Sequence, residues 1–399
     1  RSALLFAEES HLSIELKQKI MRCGIVALLF LSVANLQGLT DNREAQQIVF
    51  MLTLVSLFSL LLRNIWVTLF ILWTVFLYSF FKFTSGSIYL SNIFLGSVLY
   101  YLTKASFKRE HVDFFINGIL WLVFLNIAYC SLQVMGYDFM FSKILYNEGF
   151  VSYGKNLTPN GFMGSQSIIA ALTAFAVPLL ATRGSAWAWA GTIGLIVLLV
   201  VFKTSLCFIT GVAGLLFVLY YKLPRKIWVG LILVSVLTGA GYVQKVDKFG
   251  VERFAQWQRV LSDWKVHPIT GFGLDSFANE TPTKNFRYAQ DVDEYPYHKG
   301  PDGTEYENIK WIKWWDNPHN LYISLLYEFG LIGFILFIGY MRQNFIRYKV
   351  SIKDKNTIGL LGFLLVFLGV SAGHFPMFLA RTAILIIPAF ALYENLTEE

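Results

Sequence analysis

Two pieces of one polar segment decide how this chain is read: VERFAQWQRVLSDWKVHPITGFGLDSF at residues 251–277 and WIKWWDNPHNLYISLLYEFGLIGF at residues 311–334. That polar segment, residues 244–316, is wedged between two long apolar runs, and most of the sequence on either side is apolar. Water, charge and imidazole therefore meet chiefly here, so any chemistry is expected here.

The 399-residue chain is 55% hydrophobic, 17% aromatic and only 15% charged, with a mean hydropathy of +0.53. A water-soluble globular chain has no need of so much apolar sequence, and about twenty consecutive apolar residues cross a bilayer. The composition defines an all-α polytopic membrane protein. A transmembrane β-barrel requires short alternating segments, which the sequence lacks. The net charge of +7 lies largely in short connections between apolar runs, so it reads as topology and not as nucleic-acid binding. Cys23, Cys130 and Cys207 fall in or at the edge of apolar runs and indicate neither a disulfide framework nor a thiolate metal site.

Working outward from the polar segment, about twelve apolar segments are expected to span the membrane. Nine precede it, near 24–39, 47–62, 65–81, 87–102, 114–134, 165–181, 186–202, 206–221 and 227–243. Three follow, near 320–340, 357–375 and 379–393. This divides the chain into an N-terminal membrane bundle over 1–243, an outward loop over 244–319 and C-terminal membrane helices over 320–399. The even-numbered connections carry Arg63; Lys104, Lys108 and Arg109; Arg183; Lys222, Arg225 and Lys226; and Arg342, Arg347, Lys349, Lys353 and Lys355. The positive-inside rule then puts both termini in the cytoplasm and the loops 135–164 and 244–316 outside.

Within the polar segment, Arg253, Trp257 and Trp264 fall on one face of a helix that ends near His267-Pro268. Two readings are open: a surface helix with Trp in the interfacial belt, or one wall of a site. His319, in Asn317-Pro318-His319-Asn320, immediately precedes an apolar helix, with Pro318 expected in that helix's first turn. Its imidazole lies at the level of a lipid headgroup, as a helix-end residue or as a reactive group. Trp311, Trp314 and Trp315 fit an interfacial belt or a stacking surface for sugar rings. Asp291-Val292-Asp293 matches the pattern of metal-dependent nucleotide-sugar transferases, but its loop faces away from cytoplasmic nucleotides. The spacing of His267, His298, His319 and His374 matches no metal motif. Lys203 and Arg381 sit at the outer ends of apolar segments, where a cation either snorkels or meets an anion.

One pattern is more specific: Arg253-x-x-x-Trp257, then His267-Pro-x-x-Gly271-x-Gly273-x-x-x-Phe277, then His319-Asn320 followed by Gly330-x-x-Gly333. It resembles the O-antigen ligase and polymerase superfamily, over roughly Gly164 to Arg381. Gly164-Ser165-Gln166-Ser167 resembles the start of a family helix, and Leu379-Ala380-Arg381-Thr382 resembles the Ala-Arg-Ser/Thr segment of a late one. The family's Ser-Arg pair at the outer start of another helix reads Phe202-Lys203-Thr204-Ser205 here. Lys203 replaces that cation, or the contact is absent.

The resemblance implies a C-type glycosyltransferase fold with a large periplasmic loop in the bacterial inner membrane. It implies a donor glycan carried on undecaprenyl diphosphate. The acceptor it implies is a sugar hydroxyl, on lipid A–core for a ligase or on a second lipid-linked glycan for a polymerase. Arg253 and His319 would be catalytic, with Arg253, Arg381 and Lys203 on the diphosphate and Trp257, Trp315 and Asn320 toward sugar. No metal or other cofactor is called for, because the lipid diphosphate is already an activated leaving group and arginine grips phosphate bidentately. The rival reading is a lipid-glycan flippase with no bond made or broken; the clustering of polar residues at the outer face instead of through the core favours the transferase. The topology is checked by cysteine labelling in intact cells. Asn285→Cys is expected to react with a membrane-impermeant thiol reagent and Lys353→Cys to stay unreacted.

Overall fold

The computed structural model describes residues 65–81, 99–135, 166–202, 204–222, 260–274, 318–347, 354–373 and 380–398. It also describes residues 96, 137, 224, 257–258 and 276 and four short strands. The segments expected near 24–39, 47–62 and 227–243 lie outside these residues, as do Lys203, Arg253, Asp291, Asp293 and Trp315.

Eight of the other expected segments are helices. In chain order they are α1 (Ile65–Phe81), α2 (Val112–Val134), α3 (Gln166–Ala181), α4 (Ala186–Val201), α5 (Ser205–Lys222), α6 (Leu321–Arg347), α7 (Lys355–Val370) and α8 (Ala380–Glu398). Residues 99–106, the end of the segment expected at 87–102, are also helical. A helix satisfies every backbone donor and acceptor within one segment, which hydrocarbon demands. Among the described residues, Arg109–Val134, Ser205–Lys222 and Leu321–Gln343 are each long and apolar enough to cross a membrane. Trp121, Ile193 and Val197 are 59%, 62% and 56% exposed on the outside of the bundle, a placement that suits lipid and not water. The protein is a helical membrane protein.

The helices share one hydrophobic core that includes Phe175 of α3, Leu199 of α4, Cys207 of α5, Leu325 of α6, Phe367 of α7 and Phe390 of α8. Its centre is tight because small residues meet there. A Cβ on Gly214 of α5 would lie 2.5 Å from Val366, and one on Gly362 of α7 would lie 2.6 Å from Pro178 of α3. Without a hydrophobic drive between helices in lipid, close approach of this kind is what holds them.

The basic connections gather at one end of the bundle. Arg183 pairs with Asp113 and donates to the Asn117 amide oxygen at 3.1 Å. Arg109 lies 4.0 Å from Asp354, and Lys222 donates to the Ala181 carbonyl at 2.9 Å. Lys104, 8% exposed, bonds at 2.7 Å to Glu394, which is fully buried, and the Tyr100 hydroxyl donates to the same carboxylate. That carboxylate is costly to bury and holds its place because it is paired. The helix directions then put Phe202, Thr204, the start of α3, the start of α6 and the start of α8 at the opposite end.

Two short antiparallel ladders lie in the polar loop, β1 (Tyr288–Gln290) with β4 (Trp311–Lys313) and β2 (His298–Lys299) with β3 (Glu305–Tyr306). Tyr288 is opposite Lys313, and His298 is opposite Tyr306, so the second ladder nests inside the first. No strand was expected there. The runs are too short for alternation to register, although the Gly300-Pro301-Asp302-Gly303 connection is strong turn chemistry.

The decisive local feature is inside α6, where Gly330 takes φ 67°, ψ −172° and breaks the helix. An unbroken helix would pair the Leu331 and Ile332 amides with the Tyr327 and Glu328 carbonyls. Here Leu331 N donates to Pro268 O at 2.9 Å and Ile332 N to Ile269 O at 3.4 Å. The Tyr327 carbonyl accepts from Phe272 N at 2.8 Å, and that of Glu328 from Gly273 N at 3.0 Å. The Phe329 carbonyl accepts from the Trp73 indole of α1 at 2.8 Å. A turn of the polar loop thus replaces the bonds the break removes. Backbones come this close only because both sides are glycine. A Cβ on Gly271 would sit 2.6 Å from Gly330 N, and one on Gly330 would collide with the Ile269 carbonyl.

Gly330→Ala combines that collision with a φ/ψ region that alanine avoids, which by itself costs about 1–3 kcal/mol. The purified variant is expected to melt well below the wild type in detergent and to lose transfer activity. Gly194→Ala, with open space around its Cβ, serves as the control and is expected to hold or slightly raise the melting temperature.

Candidate functional site

The site end of the bundle is organised by the turn that precedes α6. Pro318 was expected inside the first helical turn; instead α6 begins at Leu321 and Asn320 is its N-cap. The Asn320 side-chain oxygen accepts from Tyr322 N at 3.0 Å and Ile323 N at 3.1 Å. An amide oxygen satisfies the orphan donors of a first turn as well as any side chain does, and this displaces the helix start by three residues. The Asn320 amide nitrogen donates to Ala372 O at 2.9 Å, and Leu321 N to Ser371 O at 2.8 Å. Both ends of the amide therefore bond to protein, and they hold the start of α6 against the end of α7. Tyr322 adds a third tie, from its hydroxyl to Leu368 O at 2.6 Å.

Between these fixed points His319 adopts φ 49°, the non-glycine residue with positive φ among those described. The imidazole is half-buried. Left-handed backbone at a non-glycine residue is uncommon, and it persists only where the surroundings enforce it.

The loop helix that carries Trp257 and Trp264 packs on protein. Trp257, Val260 and Trp264 lie on one helical face, and with Phe272 they pack against Ile323 and Tyr327 of α6. Phe272 stacks on Tyr327 with ring centroids 4.7 Å apart, and exposed His267 meets Phe272 edge-on at 4.9 Å. The face that spacing left open between membrane surface and site wall is thus an internal one. The Trp257 indole N–H donates to the Pro318 carbonyl at 2.8 Å, so Trp257 and His319 are brought together across the sequence.

Of the remaining expected site residues, Arg253, Lys203 and Trp315 lie outside the described residues. Phe202 and Thr204, which flank Lys203 in sequence, lie at the same end as His319. Arg381 is in the first turn of α8, which begins at that end.

One residue escaped the sequence reading. Glu328 is 3% exposed, on the stripe of α6 that continues from Asn320 through Ser324, both also buried. Its backbone is part of the junction with Gly273. The signal was present: an acidic residue inside an apolar helix is costly and marks function by default. It was hidden by the neighbouring glycine pattern. Among the described residues, no group of three or more His, Cys, Asp or Glu side chains is placed to hold a metal ion.

A helical membrane protein with a strained, locked histidine turn at one end of its bundle is the class that fold and site define. Residues 168–338 match the family model described as O-antigen ligase, so this stretch of the chain is similar to that family. The match spans α3 to most of α6, including Lys203, Arg253, Trp257, His319, Gly330 and Gly333, and stops short of Arg381. No curated protein matched the chain.

Asn320→Ala is expected to cost about 1–2 kcal/mol of stability through loss of the cap, read as a lower melting temperature in detergent. Asn320→Ser, which restores a capping oxygen, is expected to recover most of it.

Proposed function

We propose that this protein transfers a glycan from undecaprenyl diphosphate to an acceptor sugar hydroxyl at the outer face of the bacterial inner membrane. The observation that carries the reading is the His319 turn. It presents a half-buried imidazole at the head of a membrane-length helix, in a backbone conformation that the flanking bonds hold. Strain of this kind gathers at functional sites.

In this reaction the acceptor oxygen forms a bond to the anomeric carbon, the carbon–oxygen bond to the lipid diphosphate breaks, and the acceptor proton passes to His319. An imidazole near neutrality suits that proton, because its unperturbed pKa lies close to working pH. The diphosphate leaves with its charge neutralised by Arg253, Arg381 and Lys203. Arg381 adds its charge to the N-terminal turn of α8, where the helix dipole already favours an anion. Trp315 is assigned to the glycan. The acceptor is lipid A–core in a ligase or a second lipid-linked glycan in a polymerase. Both termini lie in the cytoplasm, below the end where Lys104, Arg109, Arg183 and Lys222 collect, and the active site is periplasmic. This supports a C-type glycosyltransferase arrangement.

Purified protein is assayed with an undecaprenyl-diphosphate-linked glycan as donor. Transfer is expected to persist in EDTA, since the cationic set performs the neutralisation. His319→Asn removes the imidazole while tolerating left-handed backbone. It is expected to lower the rate by about a hundredfold or more with donor affinity nearly unchanged. Arg253→Lys keeps the charge but loses the planar fork, and is expected to lose most activity. Transfer by His319→Asn at close to the normal rate overturns the mechanism.

A further inference from the structure

We propose that Trp257 is a positioning residue that acts through His319, and not a sugar-stacking platform; the proposal rests on the transferase reading above. The spacing of Trp257 with Arg253 made it a candidate for contact with glycan. The structure spends the indole differently. Its N–H donates to the carbonyl of Pro318 at 2.8 Å, the peptide group immediately before His319. Its ring packs, partly buried, against the cluster of Val260, Phe272, Ile323 and Tyr327.

The consequence follows from the backbone. The Pro318 carbonyl belongs to the peptide plane whose rotation defines φ of His319, and that φ is 49°. On the other flank, Asn320 is fixed by its cap and by Ala372, and Leu321 by Ser371. The histidine is thus clamped before and after by groups from three separate parts of the chain: the loop helix, the start of α6 and the end of α7. Rotation of the Pro318–His319 peptide toward ordinary extended or helical φ would carry the imidazole away. The Trp257 bond opposes that rotation. Because Trp257 also packs against Tyr327, whose carbonyl accepts from Phe272, the clamp is built onto the junction at Gly330.

Trp257→Phe keeps an aromatic ring in the cluster and deletes the N–H. With an undecaprenyl-diphosphate-linked glycan as donor, and lipid A–core or a second lipid-linked glycan as acceptor, kcat is expected to fall about tenfold. KM for both substrates should stay within about twofold and the melting temperature in detergent close to the wild type. In a His319→Asn background the same substitution is expected to change the rate by less than about twofold, since the group it positions is gone. A wild-type rate, a raised acceptor KM with kcat unchanged, or an equal loss in both backgrounds each overturns the proposal. If the Phe variant fails to fold, 3-benzothienylalanine at position 257 keeps the indole shape without the N–H and is held to the same outcomes. Failure of the transferase reading is separate: it shows as His319→Asn transferring normally, whatever Trp257 does.

Discussion

Four backbone hydrogen bonds cross between the turn at residues 268–273 and the broken helix at Gly330. In a medium without water, each unsatisfied amide or carbonyl costs several kcal/mol. A break in a membrane helix is therefore tolerated only where its freed groups find replacements. Here the Leu331 and Ile332 amides and the Tyr327 and Glu328 carbonyls are taken by the loop, and the Phe329 carbonyl by Trp73 of α1. The break and the turn require each other. Neither can be moved along the chain without leaving buried polar groups unmatched.

From this junction the geometry of the site follows upward. The half of α6 above Gly330 is held by the 268–273 turn on one side, with Phe272 on Tyr327 and Trp264 beside them. At its top it is fastened to α7 through Asn320, Leu321 and Tyr322. His319 sits on the last residue before that fastening. Small changes in the lower junction are transmitted to it as rotation of a short rigid segment, because packed helices rearrange in steps more readily than they bend. The opposite end of the bundle is sealed by paired charges, of which Lys104 with buried Glu394 is the deepest.

Much of this was legible in the residues. Apolar length marked the helices, and charged connections marked which ends go together, since Arg183, Lys222 and Arg109 do meet partners at one end. The pattern of His267, Gly271, Gly273, Gly330 and Gly333 marked where to look. What it did not convey is that Gly271 and Gly330 touch, because contact between positions so far apart in sequence leaves no periodic trace. Pro318 misled for a related reason: proline is tolerated in a first turn, but Asn320 is the stronger cap, and the cap set the boundary. Glu328 lay in plain view and was passed over. The short β pairs in the loop were too brief for any alternation to register.

The chain alone determined the solvent its helices live in, their approximate ends and which of those ends gather together. Those follow from local quantities: apolar length, charge in the connections and the bilayer's intolerance of bare backbone. The tertiary structure decided which hydrogen bonds the described polar groups at the site make. Which carbonyl the Trp257 indole reaches depends on packing, and that carbonyl belongs to Pro318, far along the chain. Whether Asn320 reads a sugar or caps a helix depends on the end of α7 arriving beside it. Side-chain identity sets what bonds a residue can make, and only the packing of distant segments selects the one it does make.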